Sequence, residues 1–132
     1  YWRSNEALWS RVLALDPVNG SAHLALGVEL ARQGRPSAAE PEFRLALAAF
    51  PGCAEEQERL ARLGPGAKGP EAELLRRRAE WSPVCRKARI NLGAALAHQG
   101  RFDEARAHFV IATFVAPGDE AVRRNLARLG AR

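Results

Sequence analysis

The chain has 132 residues, 47% of them apolar, a formal net charge of +5, two cysteines and no methionine. That length and apolar share suit a single domain with a core of its own. No run approaches the roughly 18 apolar residues of a membrane span, and no secretory leader opens the chain, so this stretch is not expected to insert into a membrane.

The absence of methionine even at residue 1 reads as a segment of a longer polypeptide, and leaves its compartment open. The positive charge is mostly arginine scattered among glutamates, the pattern of a solvated mixed surface rather than a polyanion-binding block. No stacking platform accompanies it, so no specific nucleic acid is expected as a partner.

In chain order, "SNEALWSRVLALDP" reads as a helix over Asn5–Leu15 that stops before Pro17. From Ala22, the residues Leu24, Leu26, Val28, Leu30 and Ala31 make an apolar helix ending at Gly34, where a left-handed cap is expected. Pro36 suits the start of the next helix. Ala39, Phe43, Ala46, Leu47 and Phe50 follow, and Pro51-Gly52 ends the pair. Pro41 falls inside that helix, where proline costs about 3 kcal/mol, so the helix is expected to begin near Ala39 or to kink.

Next come "EEQERLARL", the turn "GPGAKGP" from Gly64 to Pro70, and "EAELLRRRAEW" ended by Pro83. The following pair repeats the earlier punctuation: a helix ending at Gly100, then Phe102, Ala105, Phe109, Ala112 and Val115 before Pro117-Gly118. "DEAVRRNLARLG" closes the pattern as one more helix, Asp119–Leu129.

"LGVELARQG" at Leu26 thus returns as "LGAALAHQG" at Leu92. Laying Leu26 on Leu92 carries the whole of Leu8–Gly64 onto Leu74–Gly130 without a gap, and more than a third of the aligned positions are identical. The identities concentrate in glycine, alanine, proline and phenylalanine, the residues that geometry constrains most. The offset divides into units of about 34 and about 32 residues, as duplication of a two-unit block would produce.

Leu26, Gly27, Leu30, Gly34, Ala39, Phe43, Ala46 and Pro51, and again Leu92, Gly93, Leu96, Gly100, Ala105, Phe109, Ala112 and Pro117, resemble the tetratricopeptide repeat signature. The family's first-helix aromatic is missing; His23 and Arg89 stand there. Trp9 stands where Phe43 stands, and Pro17 where Pro51 stands. The resemblance implies an all-α fold, a right-handed α-solenoid of antiparallel helix pairs with about eight helices. The expected divisions are 1–19 (a second helix only), 20–53, a shortened unit over 54–85, 86–119, and a terminal first helix over 120–132. Gly27 and Gly93 are read as notches for a closely approaching partner helix. Phe43 and Phe109 are read as fillers between one pair and the next.

Little in the chain points to chemistry. His23, His98 and His108 share no metal-ligand spacing with one another or with cysteine, so neither a metal nor another cofactor is expected. His23 is expected at a helix contact, His98 and His108 on the surface. "GPGAKGP" lacks the strand and the Lys-Ser/Thr pair of a phosphate loop. The serines have no histidine–carboxylate partners, and no catalytic residue is assigned. Ser21 and Ser37 read as helix-start residues. Cys53 and Cys85 follow successive unit boundaries, and stacked units about 10 Å apart would hold them beyond disulfide reach.

The resemblance implies a non-catalytic module that binds a protein or peptide segment in a concave groove lined by first helices. Glu55, Glu58, Arg59, Arg62, Lys87, Asn91, His98, Arg124, Asn125 and Arg128 are the candidates by helical spacing, with a positive bias favouring an acidic partner. Leu24 and Val28 stand where the family's carboxylate-binding members carry their first polar residue, so that clamp is not carried over. "YWRSNEALWSRVLALDP" resembles the seam after the last membrane helix in multi-pass glycosyltransferase-like proteins. The alternative it implies is an extracytoplasmic accessory domain tethered through a preceding membrane part. The two end helices are also expected to expose apolar surface and to favour self-association.

Overall fold

The computed structural model describes residues 5–50, 52–64, 67–80, 83–115 and 118–130. They form eight helices: α1 (Asn5–Leu15), α2 (Gly20–Arg32), α3 (Pro36–Ala48), α4 (Cys53–Leu63), α5 (Pro70–Glu80), α6 (Pro83–His98), α7 (Phe102–Val115) and α8 (Glu120–Gly130). No strand occurs among the described residues. Pro51 and Pro117 of the repeat signature lie outside them.

Local chemistry sets the helix ends. Asn19, rather than Ser21, caps α2, its side chain accepting from the Ala22 N–H at 2.9 Å. Gly34 and Gly100 take φ of 75° and 78°, the left-handed conformation that ends α2 and α6. At both, the following N–H reaches back along the helix: Arg35 donates to the Leu30 carbonyl and Arg101 to that of Leu96, each at 3.0 Å. Pro36 opens α3, and Pro41 sits inside that helix on its exposed face. The helix neither starts late nor ends there; the proline ring forgoes one helical hydrogen bond on the solvent side. Asp119 caps α8 through the Ala121 N–H at 2.9 Å.

Within each pair the glycine notch receives an aromatic ring. A β-carbon on Gly27 would lie 2.5 Å from the Phe43 ring, and one on Gly93 would lie 2.8 Å from the Phe109 ring. The phenylalanines therefore lie on their own pair's first helix, and the close approach is ring against helix. Leu26, Leu30, Ala39 and Ala46 bury around the first contact, and Leu92, Leu96, Ala105 and Ala112 around the second. All belong to one continuous core with Val122 and Leu129 of α8.

The order of packing differs from the order of the chain. Helix α3 packs broadly on α6 and only slightly on α4, so the α2–α3 and α6–α7 pairs stack directly. The α4–α5 hairpin stands beside them, with α4 against α7. An ion pair repeats this geometry: Arg35, after the first capping glycine, reaches Glu6 of α1 at 3.2 Å, and Arg101, after the second, reaches Glu40 of α3 at 2.7 Å. Glu40 stands one repeat unit after Glu6, as Phe43 does after Trp9, so α6 sits on α3 as α2 sits on α1.

Apolar demand explains the choice. The face of α6 buries Ala88, Leu92, Ala95 and Leu96, whereas α4 buries only Gln57 and Leu60. The hairpin closes over a small separate core of Leu60, Ala72 and Leu75, with Ala67 and Phe114 against it.

The expectation for the cysteines is overturned, as is that of Phe43 and Phe109 as fillers between one pair and the next. Cys53 and Cys85 form a disulfide, with their Cα atoms 6.6 Å apart. Because α3 meets α6 directly, the chain leaves the stack at Cys53 and must return near the same point. A separation of about 10 Å holds only for units stacked in sequence order.

Candidate functional site

The first helices α2 and α6 lie side by side with α1 at one flank, and two adjoining cavities run along them. One, of about 420 Å³, is lined by Asn5 and Trp9 of α1, Leu24, Ala25, Val28, Glu29 and Arg32 of α2, and Lys87 and Asn91 of α6. The other, of about 370 Å³, is lined by Val28, Ala31, Phe43, Asn91, Ala94, Ala95 and His98, with Gly34 and Pro36 at its end. Val28 and Asn91 border both, so the cavities form one groove. Val28 is exposed, and its neighbours Leu24 and Trp9 are partly so. The floor is therefore apolar, with polar groups contributed mainly by α6.

Glu29 is the exception on α2. It is buried and accepts from Arg32 Nη2 at 2.7 Å and from Gln33 Nε2 at 3.3 Å. The Arg32 hydrogen bond holds its carboxyl below the usual range against the opposing effect of burial. That fixes an Arg32–Glu29 ion pair in the groove wall, while Lys87 of the same cavity is exposed.

Of the residues singled out from sequence, the fold brings Lys87, Asn91 and His98 together here. Arg59 and Arg62 lie on α4, away from these cavities, and Arg59 pairs with Glu71 of α5. Glu55 and Glu58 line a different cavity, between α3, α4, α6 and α7. Arg124, Asn125 and Arg128 lie on α8, with Asn125 one repeat unit beyond Asn91. Trp9 and Ala94 were not singled out. The sequence marks Trp9 as the equivalent of Phe43 and as apolar surface on an end helix, not as part of a groove.

Two models of the tetratricopeptide repeat match the chain, one over residues 3–54 and one over residues 87–109. The chain belongs to the tetratricopeptide repeat family. Together the matches cover both glycine–phenylalanine pairs, and they flank the α4–α5 hairpin on either side. No curated protein matches the chain. Tetratricopeptide repeats mediate protein–protein interaction, and the family is typically non-catalytic. Among the described residues no group of three or more His, Cys, Asp and Glu side chains is placed to hold a metal ion. No helix there is long and apolar enough to cross a membrane.

The tetratricopeptide positions that usually carry an aromatic are polar in this chain, and both are buried. His23 shares hydrogen bonds with Glu42 of α3 at 2.7 Å and the Pro17 carbonyl at 2.8 Å. Arg89 donates from Nε to the Gln57 amide oxygen at 2.8 Å, and its Nη1 meets His108 Nδ1 at 3.0 Å. His108 is thus half-buried at this contact, contrary to its expected exposure, while His98 is exposed as expected. Burial, reinforced by the charges of Arg89 and Arg44, pushes the His108 pKa down to about 4. It is therefore neutral at pH 7 and free to accept from the guanidinium.

Proposed function

We propose that this repeat array is a non-catalytic scaffold that binds a peptide or protein segment in the α1–α2–α6 groove. The continuous groove floor carries the reading: two joined cavities bordered by Val28 and Asn91, apolar along α2 and polar along α6. A segment suited to it places apolar side chains on Trp9, Leu24 and Val28. It offers an acidic or polar group to Lys87, Asn91 and His98. Arg124, Asn125 and Arg128 extend the same preference toward α8. The divisions at 1–19, 20–53, 54–85, 86–119 and 120–132 serve as its units, with 54–85 as a hairpin beside the stack.

Selection of peptides from a random display library on the intact chain tests this. The selected peptides lose binding to Val28→Glu and to Asn91→Ala, and keep it with Leu45→Glu on the exposed side of α3. Peptides indifferent to both groove changes refute the site. Acidic preference is tested separately by Lys87→Glu combined with Arg124→Glu; unchanged binding of an acidic peptide removes that part of the reading. Self-association through the end helices belongs to the same proposal, since α1 exposes Leu8 and Leu15. Sedimentation velocity of the wild type against Leu8→Lys, Leu15→Lys decides it.

The disulfide favours a second reading. Disulfides persist in oxidising compartments, which suits an extracytoplasmic accessory domain of a membrane-bound glycosyltransferase-like protein. Alkylation of the native cellular protein before and after reduction tests the placement. Two thiols labelled without reductant dismiss it.

A further inference from the structure

A second kind of cavity, of about 320 Å³, lies outside the groove, among the end of α3, the start of α4, α6 and α7. Leu47, Phe50 and Leu92 form an apolar part of its wall, while Arg44, Arg89, Glu58 and His108 supply its polar part. The Arg89 side chain is only 2% exposed. Its hydrogen-bond partners are the Gln57 amide oxygen, His108 Nδ1 and, at 3.4 Å, the Ala54 carbonyl, all neutral acceptors. Part of the guanidinium's donor capacity is thereby left over. The carboxylate paired with it, Glu58, stays 3.9 Å away on a side chain 46% exposed.

A guanidinium taken out of water without a hydrogen-bonded counter-ion is costly. The internal repeat offers a comparison at the same position. The register that lays Leu26 on Leu92 also lays His23 on Arg89 and Glu42 on His108. In the first copy a carboxylate lies 2.7 Å from the ring nitrogen; in the second the carboxylate has been exchanged for a neutral imidazole. Arg44, which pairs with Glu40 along α3, adds a second positive charge at the same cavity. Gly52 starts α4 there with no side-chain cap, so the positive end of the α4 dipole adds to the field. Glu55 and Glu58 oppose it from the rim.

We propose that this cavity binds an organic carboxylate: its apolar stem rests on Leu47, Phe50 and Leu92, and its carboxylate accepts from Arg89 and Arg44 in place of Glu58. The carboxylate comes either from a small free acid or from the C-terminal residue of a partner chain.

The test is NMR titration of the intact, oxidised chain with N-acetyl-leucine, following the Arg89 Nε–H resonance. N-acetyl-leucinamide, which lacks the charge, is the control. A saturable shift with the acid and none with the amide is expected at concentrations up to about 20 mM, the range of weak single-group recognition. Glu58→Gln tightens binding by about threefold or more by removing the competing charge, and Arg44→Gln weakens it by about fivefold. Glu73→Gln on α5 changes neither. Arg89→Gln removes the reporting resonance and alters a buried network, so the exposed variants carry the decision. A hexapeptide ending in leucine that binds at least about tenfold tighter than the free acid assigns the site to chain termini; equal affinity assigns it to small acids. No saturable shift, equal binding of the amide, or a Glu58→Gln effect no larger than that of Glu73→Gln overturns the proposal.

Discussion

The two copies of the repeat share their apolar contacts and differ in their polar ones. In α2–α3 and α6–α7 alike, a phenylalanine ring lies on a bare glycine and a left-handed glycine ends the first helix. At the adjoining polar position, one copy encloses a His–Glu pair and the other an Arg–His contact. Beyond the second helix they diverge further. Helix α8 packs on α7 as the next first helix, whereas the corresponding α4 leaves its place on α3 to α6. Steric fit thus fixes the pair. What surrounds the pair is set by competition among helices for apolar surface, and there sequence similarity does not ensure spatial equivalence.

The shared part should fail equally in both copies. Phe43→Ala and Phe109→Ala should each cost about 3–5 kcal/mol in urea unfolding, the usual loss for a buried aromatic. A difference beyond about 1 kcal/mol, within the normal context dependence of such losses, would show that the two notches are not equivalent.

The divergent part should fail in one copy only. Replacing both Cys53 and Cys85 by alanine should lower stability by about 2–4 kcal/mol through loss of the cross-link. Hydrogen exchange should quicken in α4 and α5 while the amides of α2 and α3 keep their relative protection. Uniform acceleration would mean that the hairpin is integral to the stack.

Acid should separate the copies next. His108 is depressed to about 4 when folded, whereas the unfolded chain protonates it near 6.5. Its contribution is therefore complete well above pH 6.5 and is lost as pH falls toward 4, by about 1–2 kcal/mol at pH 4.5 after allowance for its partial solvent exposure. His108→Gln should flatten that limb in chemical unfolding between pH 6.5 and 4.5. The carboxyls Glu29, Glu40 and Glu104, all held below 4.5, act only at lower pH. A slope unaltered by the substitution would place the acid sensitivity elsewhere.

The smallest effect concerns the notches themselves. Alanine gains about 1 kcal/mol in helix propensity over glycine, and overpacking costs about 1–3 kcal/mol. A β-carbon meets the ring at 2.5 Å in the first copy and 2.8 Å in the second. Gly27→Ala should therefore destabilise by about 1–2 kcal/mol and Gly93→Ala by less than about 1 kcal/mol. The reverse order in thermal unfolding would contradict the tighter first contact.

Most of the helical architecture was legible because glycine, proline and phenylalanine act locally. Gly34 and Gly100 announce helix ends, Pro36 a beginning, and Gly27 with Phe43 a matched notch and ring. The disulfide was not legible, because its two cysteines meet only if α6 displaces α4. That outcome depends on comparing the apolar faces of two helices, which a repeat spacing does not rank. The burial of His108 was hidden for the same reason. Its neighbour Arg89 stands at the family's aromatic position, but the spacing does not say that Gln57, Ala54 and His108 enclose it. In the groove, Lys87, Asn91 and His98 share one helix face and could be grouped by periodicity. Arg59 and Arg62 could not be separated from them without knowing that α4 stands aside.

The disulfide-closed excursion from Cys53 to Cys85 departs and returns at nearly one point. A segment with such adjacent ends can change length or content with little leverage on the helices at its base. Relatives in which this stretch is longer, shorter or replaced by a separately folded module would keep the same ring-on-glycine stack and the same α1–α2–α6 groove. The position is correspondingly suited to grafting a reporter or a second binding unit onto the array.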